Sequence, residues 1–373
     1  MIHPARTLAY GDLLALLREA QAAKLVSERR LGDHSLWCYS PSAVYERAWA
    51  PATIMARGLI LDTRRECVVA TAFPKFWNLG ERGEDFPDMP FEVFTKEDGS
   101  LIILWHDGER WRTATKGSLD SDQARAAAAW LQDHDLRPLI PGDTYLAEWV
   151  GPSNRIVVPY EREELVLLAG YDDAGNELGY SFIRGLASVL DWRCVERHTF
   201  ASLADLVAHT AALPATAEGF VLRFEDGTRL KLKGEEYRRV HQLISGCTPL
   251  GVWQMLEAGD NLAAIRDQLP DEFLGDLDAI TAKLTAQAQG IVAAVAYEAG
   301  LVAGLSDKEV GLRLPQWPEP IRSFIFPYRK NGGDLMTGRA RKALFRVIRP
   351  TGNTLLGYTP SYAINRVMDE AVG

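Results

Sequence analysis

The clearest indication of the fold is the segment Phe91-Glu92-Val93-Phe94-Thr95-Lys96-Glu97-Asp98-Gly99-Ser100-Leu101-Ile102-Ile103-Leu104-Trp105. An alternating apolar run at 91–94 precedes Lys96, and a second apolar run at 101–105 follows Ser100. Asp107-Gly108 then separates this second run from residues 110–115, which is a hairpin signal. The stretch therefore predicts antiparallel strands, with Lys96 and an Asp-Gly pair between two of them.

Strand signals dominate the flanking sequence from about Ser35 to Tyr237. A second Asp-Gly pair, Asp226-Gly227, separates the strand-like runs 219–224 and 228–233. Further strands are predicted at 58–61, 145–150, 165–171 and 178–182, and helices at 11–30, 121–133 and 202–211. This order of elements predicts an α+β domain built on antiparallel sheets.

Beyond about Arg238 the pattern becomes helical. Helices are predicted at 251–258, 261–268, 276–299 and 338–348, and Gly246, Thr248 and Pro249 interrupt the chain before them. We therefore predict two domains, an antiparallel α+β domain over residues 1–243 and an all-helical domain over residues 244–373.

Length and composition place limits on the function. The chain has 373 residues, of which 47% are hydrophobic and 24% charged, as in ordinary globular proteins. Its net charge of −9 disfavours a general coat of positive charge for nucleic acid but leaves room for a local basic groove. No apolar run reaches the length of a membrane span, and the four cysteines lack metal-site or disulfide spacing. We expect a cytoplasmic protein with reduced thiols, no membrane partner and no zinc site.

Three lysines carry the predicted chemistry. A lysine amine attacks phosphorus only when neighbouring cations or desolvation lower its pKa, and Lys96 is the candidate nucleophile. Lys231 and Lys233 are two apart in a strand, so they share one face and can direct two cations at one phosphate. Gly99 would let the backbone approach a nucleotide, and Asp98 would accept a ribose hydroxyl or a metal-bound water.

Two glutamates lie within apolar strand sequence. Glu148 interrupts the run 145–150, and Glu218 directly precedes the run 219–222. An unpaired buried carboxylate costs roughly several kcal/mol, so each needs a partner. A nucleotide hydroxyl or a hydrated metal would serve. Each of these short motifs alone is an ordinary surface turn or hairpin, and their joint occurrence in order favours the functional interpretation.

The ordered motifs resemble those of the covalent nucleotidyltransferases, the superfamily of polynucleotide ligases and capping enzymes. In more detail they resemble the RNA ligase 1 branch, the tRNA-repair ligases of the bacteriophage T4 type. The segments that carry this resemblance are Arg-Gly-Leu-Ile-Leu (57–61), Lys-Phe-Trp-Asn-Leu-Gly-Glu (75–81), Lys-Glu-Asp-Gly-Ser-Leu (96–101), Lys-Gly-Ser (116–118), Glu148, Pro-Ser-Asn-Arg-Ile-Val (152–157), Glu218, and Lys-Leu-Lys (231–233) with Tyr237. The helical C-terminal part matches the branch in plan and size only.

The resemblance implies a nucleotidyltransferase domain that performs ATP-dependent RNA ligation. Lys96 would form lysyl-AMP, the AMP would pass to an RNA 5′-phosphate, and a 3′-hydroxyl would displace it. Mg²⁺ would assist, with Glu148 and Glu218 holding its water shell. Glu148 would alternatively hold the ribose, while Lys231 and Lys233 would neutralise the α-phosphate. Arg57, Lys75 and Lys116 would meet the pyrophosphate or the 5′-phosphate.

Partners and alternatives follow from the same resemblance. The implied substrates are RNA ends with a 3′-hydroxyl and a 5′-phosphate, including nicked tRNA, with a separate end-healing kinase/phosphatase alongside. A DNA ligase or capping enzyme would carry a β-barrel where this chain turns helical. A non-catalytic RNA-binding relative should have lost the nucleophile or the paired lysines.

A basic stretch with interleaved aromatic residues, 326–358, is either an RNA-binding surface or a solvated helix over core aromatics.

Overall fold

The structure is a computed structural model that describes residues 1–82, 87, 89–361 and 364. The chain divides into two compact units, the first from Met1 to His241 and the second beginning at Gln242. A helix, Glu235–Ser245, spans this division. The boundary predicted between residues 243 and 244 falls within the same helix.

The first unit is a mixed α+β structure. Its strands are β1 (Val26–Leu31), β2 (His34–Tyr39), β3 (Arg57–Asp62), β4 (Cys67–Ala70), β5 (Trp77–Asn78), β6 (Phe91–Lys96), β7 (Ser100–His106), β8 (Trp111–Thr115), β9 (Thr144–Val150), β10 (Glu164–Tyr171), β11 (Arg193–Cys194), β12 (Arg197–His198), β13 (Gly219–Phe224) and β14 (Arg229–Lys233). Its helices are α1 (Tyr10–Ala22), α2 (Pro41–Tyr45), α3 (Pro51–Met55), α4 (Asp122–Trp130), α5 (Tyr180–Leu190), α6 (Leu203–Ala211) and α7 (Glu235–Ser245), with 3-10 turns at Pro4–Arg6, Leu131–Asp133 and Pro152–Asn154.

Three sheets organise these strands. Their strand orders are β1-β2-β3-β4, β11-β10-β9-β7-β8 and β12-β6-β13-β14-β5. Every neighbouring pair is antiparallel except β10 with β11 and β14 with β5. The predicted antiparallel α+β class is confirmed, and both predicted Asp-Gly hairpins form, as β7–β8 and β13–β14.

Alternation along the strands decides which side chains reach the core. In β7, Ile102 and Leu104 pack in a cluster with residues of α4 and α5, while Ile103 and Trp105 pack with residues of β2 and β3. The central sheet is therefore buried on both faces. In β6, Val93 packs with Leu206 of α6 and with apolar residues of β13 and β14. Because successive side chains point to opposite faces, Lys96 lies on the other side of that sheet.

The second unit is helical. Its helices are α8 (Pro249–Ala258), α9 (Leu262–Arg266), α10 (Asp271–Leu301), α11 (Asp307–Arg313), α12 (Ile321–Lys330) and α13 (Gly338–Val347), with a 3-10 turn at Leu314–Gln316. The long helix α10 contributes to two apolar clusters, one with α12 and α13 and one with α11 and α12. Within the described ranges, no helix is both long enough and apolar enough to cross a membrane.

Two predicted elements are wrong. The helix predicted at 11–30 ends at Ala22, and residues 26–31 form β1, which pairs with β2 across a turn at Gly32 with a positive φ of 59°. The strand predicted at 178–182 is instead the start of α5. Ile183, Leu186 and Leu190 recur there at helical spacing and are buried.

Candidate active site

Strand register brings the nucleophile candidate to the lysine pair. Lys96, the last residue of β6, lies opposite Gly219 of β13, and Gly219 lies opposite Lys233 of β14. A Cβ at Gly219 would come within 2.0 Å of the Leu232 carbonyl oxygen, and its φ is +140°. Only glycine fits there, and it allows the strands that carry Lys96 and Lys233 to approach the backbone of residue 219 closely.

Glu218 joins the two lysines. Its carboxylate accepts Lys96 Nζ at 2.7 Å on one oxygen and Lys233 Nζ at 2.8 Å on the other. The Glu218 side chain is only 3% exposed, and a buried carboxylate is tolerable because two cations compensate it. Lys96 and Lys233 come from strands far apart in sequence, and the structure holds both ammonium groups on one carboxylate.

The Lys96 ammonium is stabilised by neighbouring carboxylates. Burial alone would lower the pKa of Lys96, but the carboxylates of Glu218 and Glu148 outweigh it and raise that pKa above its ordinary value. Lys96 is charged and ion-paired until its electrostatic surroundings change.

Lys231 has the opposite electrostatic setting. Burial, together with the charges of Lys96, Lys233, Lys75 and Arg57, lowers the pKa of Lys231 to about 7. Lys231 forms no ion pair with any residue that the structure describes. It is a cation surrounded by cations, which is the arrangement expected where several phosphate groups are to be received.

The folded-state pKa of Lys231 predicts a pH dependence of stability. Between about 7 and the ordinary value of 10.5, the unfolded chain binds a proton at Lys231 that the folded chain does not bind. The free energy of unfolding should therefore gain a contribution from Lys231 that grows as the pH rises from about 7 to 10. In urea unfolding at several pH values, Lys231→Met should show a smaller rise with pH than the wild type. Lys308→Met, at an exposed lysine, serves as control, and equal rises in all three proteins would contradict this electrostatic assignment.

Three further cations extend the site. Arg57 begins β3. A Cβ at the neighbouring Gly58 would lie 3.1 Å from the Lys116 Cα, so glycine allows the backbone beside Arg57 to approach Lys116 closely. The Arg57 guanidinium lies 5.6 Å from the Phe76 ring centroid, and Lys231 Nζ lies 5.9 Å from the same centroid. The residues Arg57, Lys75, Lys96, Lys116, Lys231 and Lys233 are called the cationic cluster below.

Lys75 is held among aromatic rings. Its Nζ lies 5.4 Å from the Tyr39 centroid and 5.0 Å from the Trp49 centroid. Burial, then the charge of Arg57, lowers its pKa to about 8, and Lys116 contributes in the same direction. Lys75 in turn acts on the pKa of Lys231, so the charges of neighbouring members of the cationic cluster influence one another.

Two carboxylates, Glu148 and Glu218, are the predicted donors for a divalent cation. Glu148 is partly buried in β9, opposite Leu101 and Val166, and close enough to Lys96 to influence its pKa. Glu218 is already engaged by two lysines. The described part of the chain contains no group of three or more His, Cys, Asp or Glu side chains able to hold a metal. These residues fit a hydrated cation held through water and substrate phosphates, which is how Mg²⁺ usually binds.

Asp98 and Gly99 are fixed by contacts within the chain. Asp98 is 1% exposed, and its carboxylate accepts hydrogen bonds from the Val157 and Val158 backbone N–H groups at 2.9 and 2.8 Å and from the Tyr237 hydroxyl at 2.7 Å. These hydrogen bonds hold this loop to the segment around Val157 and to α7. A Cβ at Gly99 would lie 2.2 Å from the Trp149 carbonyl oxygen, so glycine is needed for close strand packing.

Sequence reasoning missed several supporting side chains. Asn154 is 1% exposed and donates to the Trp149 carbonyl at 2.7 Å. The Tyr160 hydroxyl accepts the Asp98 backbone N–H and donates to Glu97, both at 2.9 Å. Asn154 lies in the segment 152–157, which carries part of the family resemblance, but the sequence does not indicate the role of its side chain. No local pattern distinguishes Tyr160, or Trp49 beside Lys75.

Comparison with known proteins finds a family match over the segment that contains these residues. Residues 55–237 match the family model for RNA ligase. The chain is 28% identical over 273 residues to the "Putative bifunctional polynucleotide kinase/RNA ligase" of Autographa californica nuclear polyhedrosis virus, covering 65% of this chain and 38% of that protein. The chain thus spans less than two fifths of the length of this relative.

Solved structures with a partly similar course of the chain include two RNA ligases. One is an archaeal ATP-dependent RNA ligase with 15% identity and a TM-score of 0.48, over 77% of this chain and 83% of that one. The other is an RNA ligase of Naegleria gruberi with PPi, with 18% identity and a TM-score of 0.33, over 41% of this chain and 52% of that one.

Proposed function

With the resemblance to the RNA ligase 1 branch confirmed over residues 55–237, we propose that this chain is an ATP-dependent RNA ligase. It would join 3′-hydroxyl and 5′-phosphate RNA ends through lysyl-AMP and RNA-adenylate intermediates. The observation that carries the proposal is the position of Lys96 inside the matched segment. Lys96 shares the Glu218 carboxylate with Lys233 and lies within the cationic cluster.

Three displacements at phosphorus make up the reaction. Lys96 Nζ loses a proton and attacks the α-phosphorus of ATP, so that an N–P bond forms and pyrophosphate leaves. A 5′-phosphate oxygen of RNA then attacks the same phosphorus, which forms RNA-adenylate and frees the lysine. Finally a 3′-hydroxyl attacks the activated 5′-phosphorus, gives up its proton and expels AMP. Positioning and charge neutralisation carry most of such catalysis.

The cationic cluster supplies the neutralising charge. Lys231 and Lys233 flank Lys96 and would hold the α-phosphate at the moment of attack. Arg57, Lys75 and Lys116 lie farther along the cluster and would receive pyrophosphate or the RNA 5′-phosphate. Glu148 would hold a ribose hydroxyl or metal-bound water, since it faces Lys96 without replacing Glu218 as its ion-pair partner.

Deprotonation of Lys96 requires that carboxylate charge be offset. The carboxylates of Glu218 and Glu148 raise the pKa of Lys96 and favour its protonated form. A bound Mg²⁺ with its water shell near Glu148 would neutralise this charge and polarise the phosphates. The nearby lysines then favour the neutral amine of Lys96.

Glu148→Gln should therefore raise the Mg²⁺ concentration needed for half-maximal lysyl-AMP formation. The change keeps the size of the side chain but removes its charge. The measurement is adenylylation at a series of Mg²⁺ concentrations, with Glu225→Gln, at an exposed glutamate, as control. An unchanged Mg²⁺ requirement in Glu148→Gln would contradict the assignment. Glu218→Gln is less direct, because it also leaves two partly buried lysines without their carboxylate.

The decisive experiment for the function offers several substrates to one enzyme. Labelled ATP with Mg²⁺ should give a denaturation-resistant protein adduct, and RNA with a 3′-hydroxyl and a 5′-phosphate should then be sealed. A DNA ligase would prefer nicked duplex DNA, and a capping enzyme would prefer GTP and release a capped RNA. A non-catalytic relative would form no adduct.

The natural substrate is the finer part of the proposal. Nicked tRNA is the substrate we propose, in a cytoplasmic setting, with the helical second unit selecting the RNA. The viral relative's name joins an RNA ligase to a polynucleotide kinase, an activity that makes 5′-phosphate ends. This supports an end-healing partner for the present chain. Sealing rates on single-stranded RNA and nicked tRNA would test the preference.

A further inference from the structure

Charge is strongly segregated within the second unit. Residues 242–320 contain four Lys and Arg residues and eleven Asp and Glu residues. Residues 321–361 contain eight Lys and Arg residues and a single acidic residue, Asp334. In a chain with a net charge of −9, such a concentration of cations marks a candidate site for an anionic partner.

Three of the arginines in residues 321–361 form hydrogen bonds or ion pairs within the second unit. Arg329 donates to the carbonyl oxygens of Val302 and Leu305 near the end of α10, and also pairs with Asp307. Arg341 donates to the Leu256 carbonyl oxygen. Arg322 of α12 pairs with Glu319, which lies in the turn before that helix. These three arginines are accounted for by local structure.

Four other cations form an exposed surface. Arg339, Lys342 and Arg346 are exposed and lie at positions i, i+3 and i+7 of α13, so they follow one side of the helix over roughly 10 Å. Arg349 follows the helix, is also exposed, and its guanidinium lies 5.5 Å from the Trp253 ring. We call these four residues the α13 cationic face. None of them forms an ion pair with a residue in the described part of the chain.

We propose that the α13 cationic face binds the phosphate backbone of the RNA substrate, an inference that rests on the proposed function. The buried side of α13 contributes Ala340, Leu344 and Phe345 to the core, so the helix presents mainly cations to solvent. The aromatic residue Phe345, which interleaves with the basic stretch, is only 2% exposed. The contact is therefore to phosphates rather than to stacked bases.

The composition of this surface favours RNA over a membrane. Helices that lie on membranes combine a cationic face with large apolar side chains that enter the lipid. The exposed apolar residues of α13 are Ala343 and Val347, which are small. Unpaired cations along a helix match a row of phosphates, and such contacts are independent of base sequence and sensitive to salt.

The test compares two full-length variants that lose the same number of positive charges from the second unit. The first is R339A/K342A/R346A/R349A. The matched control is R266A/K308A/R313A/R322A, whose side chains are also exposed but lie outside the α13 cationic face. RNA affinity is measured by fluorescence anisotropy over a salt series. Lysyl-AMP formation and the KM and kcat of sealing are measured in parallel.

The first variant should form lysyl-AMP at the wild-type rate but bind single-stranded RNA roughly tenfold or more weakly at low salt. The slope of log affinity against log salt should fall by about 3, since each phosphate contact on a single strand contributes about 0.7. The KM for RNA should rise while kcat is retained. The control should show little change. A double variant, K342A/R346A, should lose about half of the slope and guards against misfolding of the quadruple variant.

The outcomes separate the two proposals. A wild-type protein that makes no lysyl-AMP and seals no RNA overturns the proposed function. A wild-type protein that seals RNA, with equal RNA affinity in the first variant and the control, overturns the α13 inference alone. Loss of binding to vesicles of anionic phospholipid in the first variant, with unchanged RNA affinity, would likewise overturn it in favour of a membrane surface.

Discussion

Lys96→Ala is expected to abolish covalent attachment of AMP. Lys96 is the nucleophile candidate at the end of β6, and its ammonium lies 2.7 Å from Glu218, beside Lys233. Alanine has no amine to form the N–P bond, so the loss should be complete rather than partial. The measurement is incubation with ATP labelled at the α-phosphate, followed by denaturing electrophoresis.

Lys96→Arg separates loss of chemistry from loss of fold. A guanidinium keeps a positive charge opposite the buried Glu218 carboxylate, but it stays protonated and does not act as the nucleophile. In denaturant unfolding, the midpoint of Lys96→Arg should lie closer to the wild-type midpoint than the midpoint of Lys96→Ala does. Both variants should form no adduct. A labelled adduct in either would show that another residue carries the nucleotide.

Lys231→Ala and Lys233→Ala are expected to slow lysyl-AMP formation by about 10² to 10³, the usual cost of removing one donor to a transition-state charge. Their effects on stability should differ. Lys233 compensates the buried Glu218 carboxylate, so its loss should destabilise the fold. Lys231 is crowded by like charges that lower its pKa to about 7, so its loss should cost little stability.

Single-turnover adenylylation and denaturant unfolding together check this pair of expectations. Lys308→Ala, at an exposed lysine of α11, is the matched control for loss of one positive charge. Near-normal adenylylation in both Lys231→Ala and Lys233→Ala would show that the strand face does not contact the transferred phosphate. Equal destabilisation of the two would contradict the different electrostatic roles of the lysines.

Features set by neighbouring residues could be predicted from the sequence. The hairpins at Asp107-Gly108 and Asp226-Gly227 depend on short turns flanked by apolar runs, and both form. The period of two in a strand also places Lys231 and Lys233 on one face of β14.

The wrong elements show the limit of local patterns. Apolar residues at 13, 14 and 17 favour a helix, but the pattern does not say where the helix ends. The pairing of β1 with β2 is decided by a partner strand and a turn at Gly32. At 178–182 a short apolar run is compatible with strand or helix, and burial of Ile183 and Leu186 against the central sheet selects the helix.

The site depends on contacts that are distant in sequence. Lys96 and Glu218 are separated by 122 positions, and only the register of β6 with β13 brings them together. The raised pKa of Lys96 follows from that contact, which no local pattern in the sequence indicates. The hydrogen bond between Asp98 and Tyr237 is equally distant, since the two residues are 139 positions apart.

The most direct test is to map the adenylylated residue. Lys231 has a low pKa and is a competing nucleophile on electrostatic grounds alone, whereas Lys96 is ion-paired. After incubation with ATP and Mg²⁺, the protein is digested and its peptides are sequenced by mass spectrometry. The adenylyl group should lie on Lys96, and pyrophosphate should remove it by reversing the reaction. An adduct on Lys231 or Lys75, or no adduct at all in a folded protein, would contradict the assignment of Lys96 as the nucleophile.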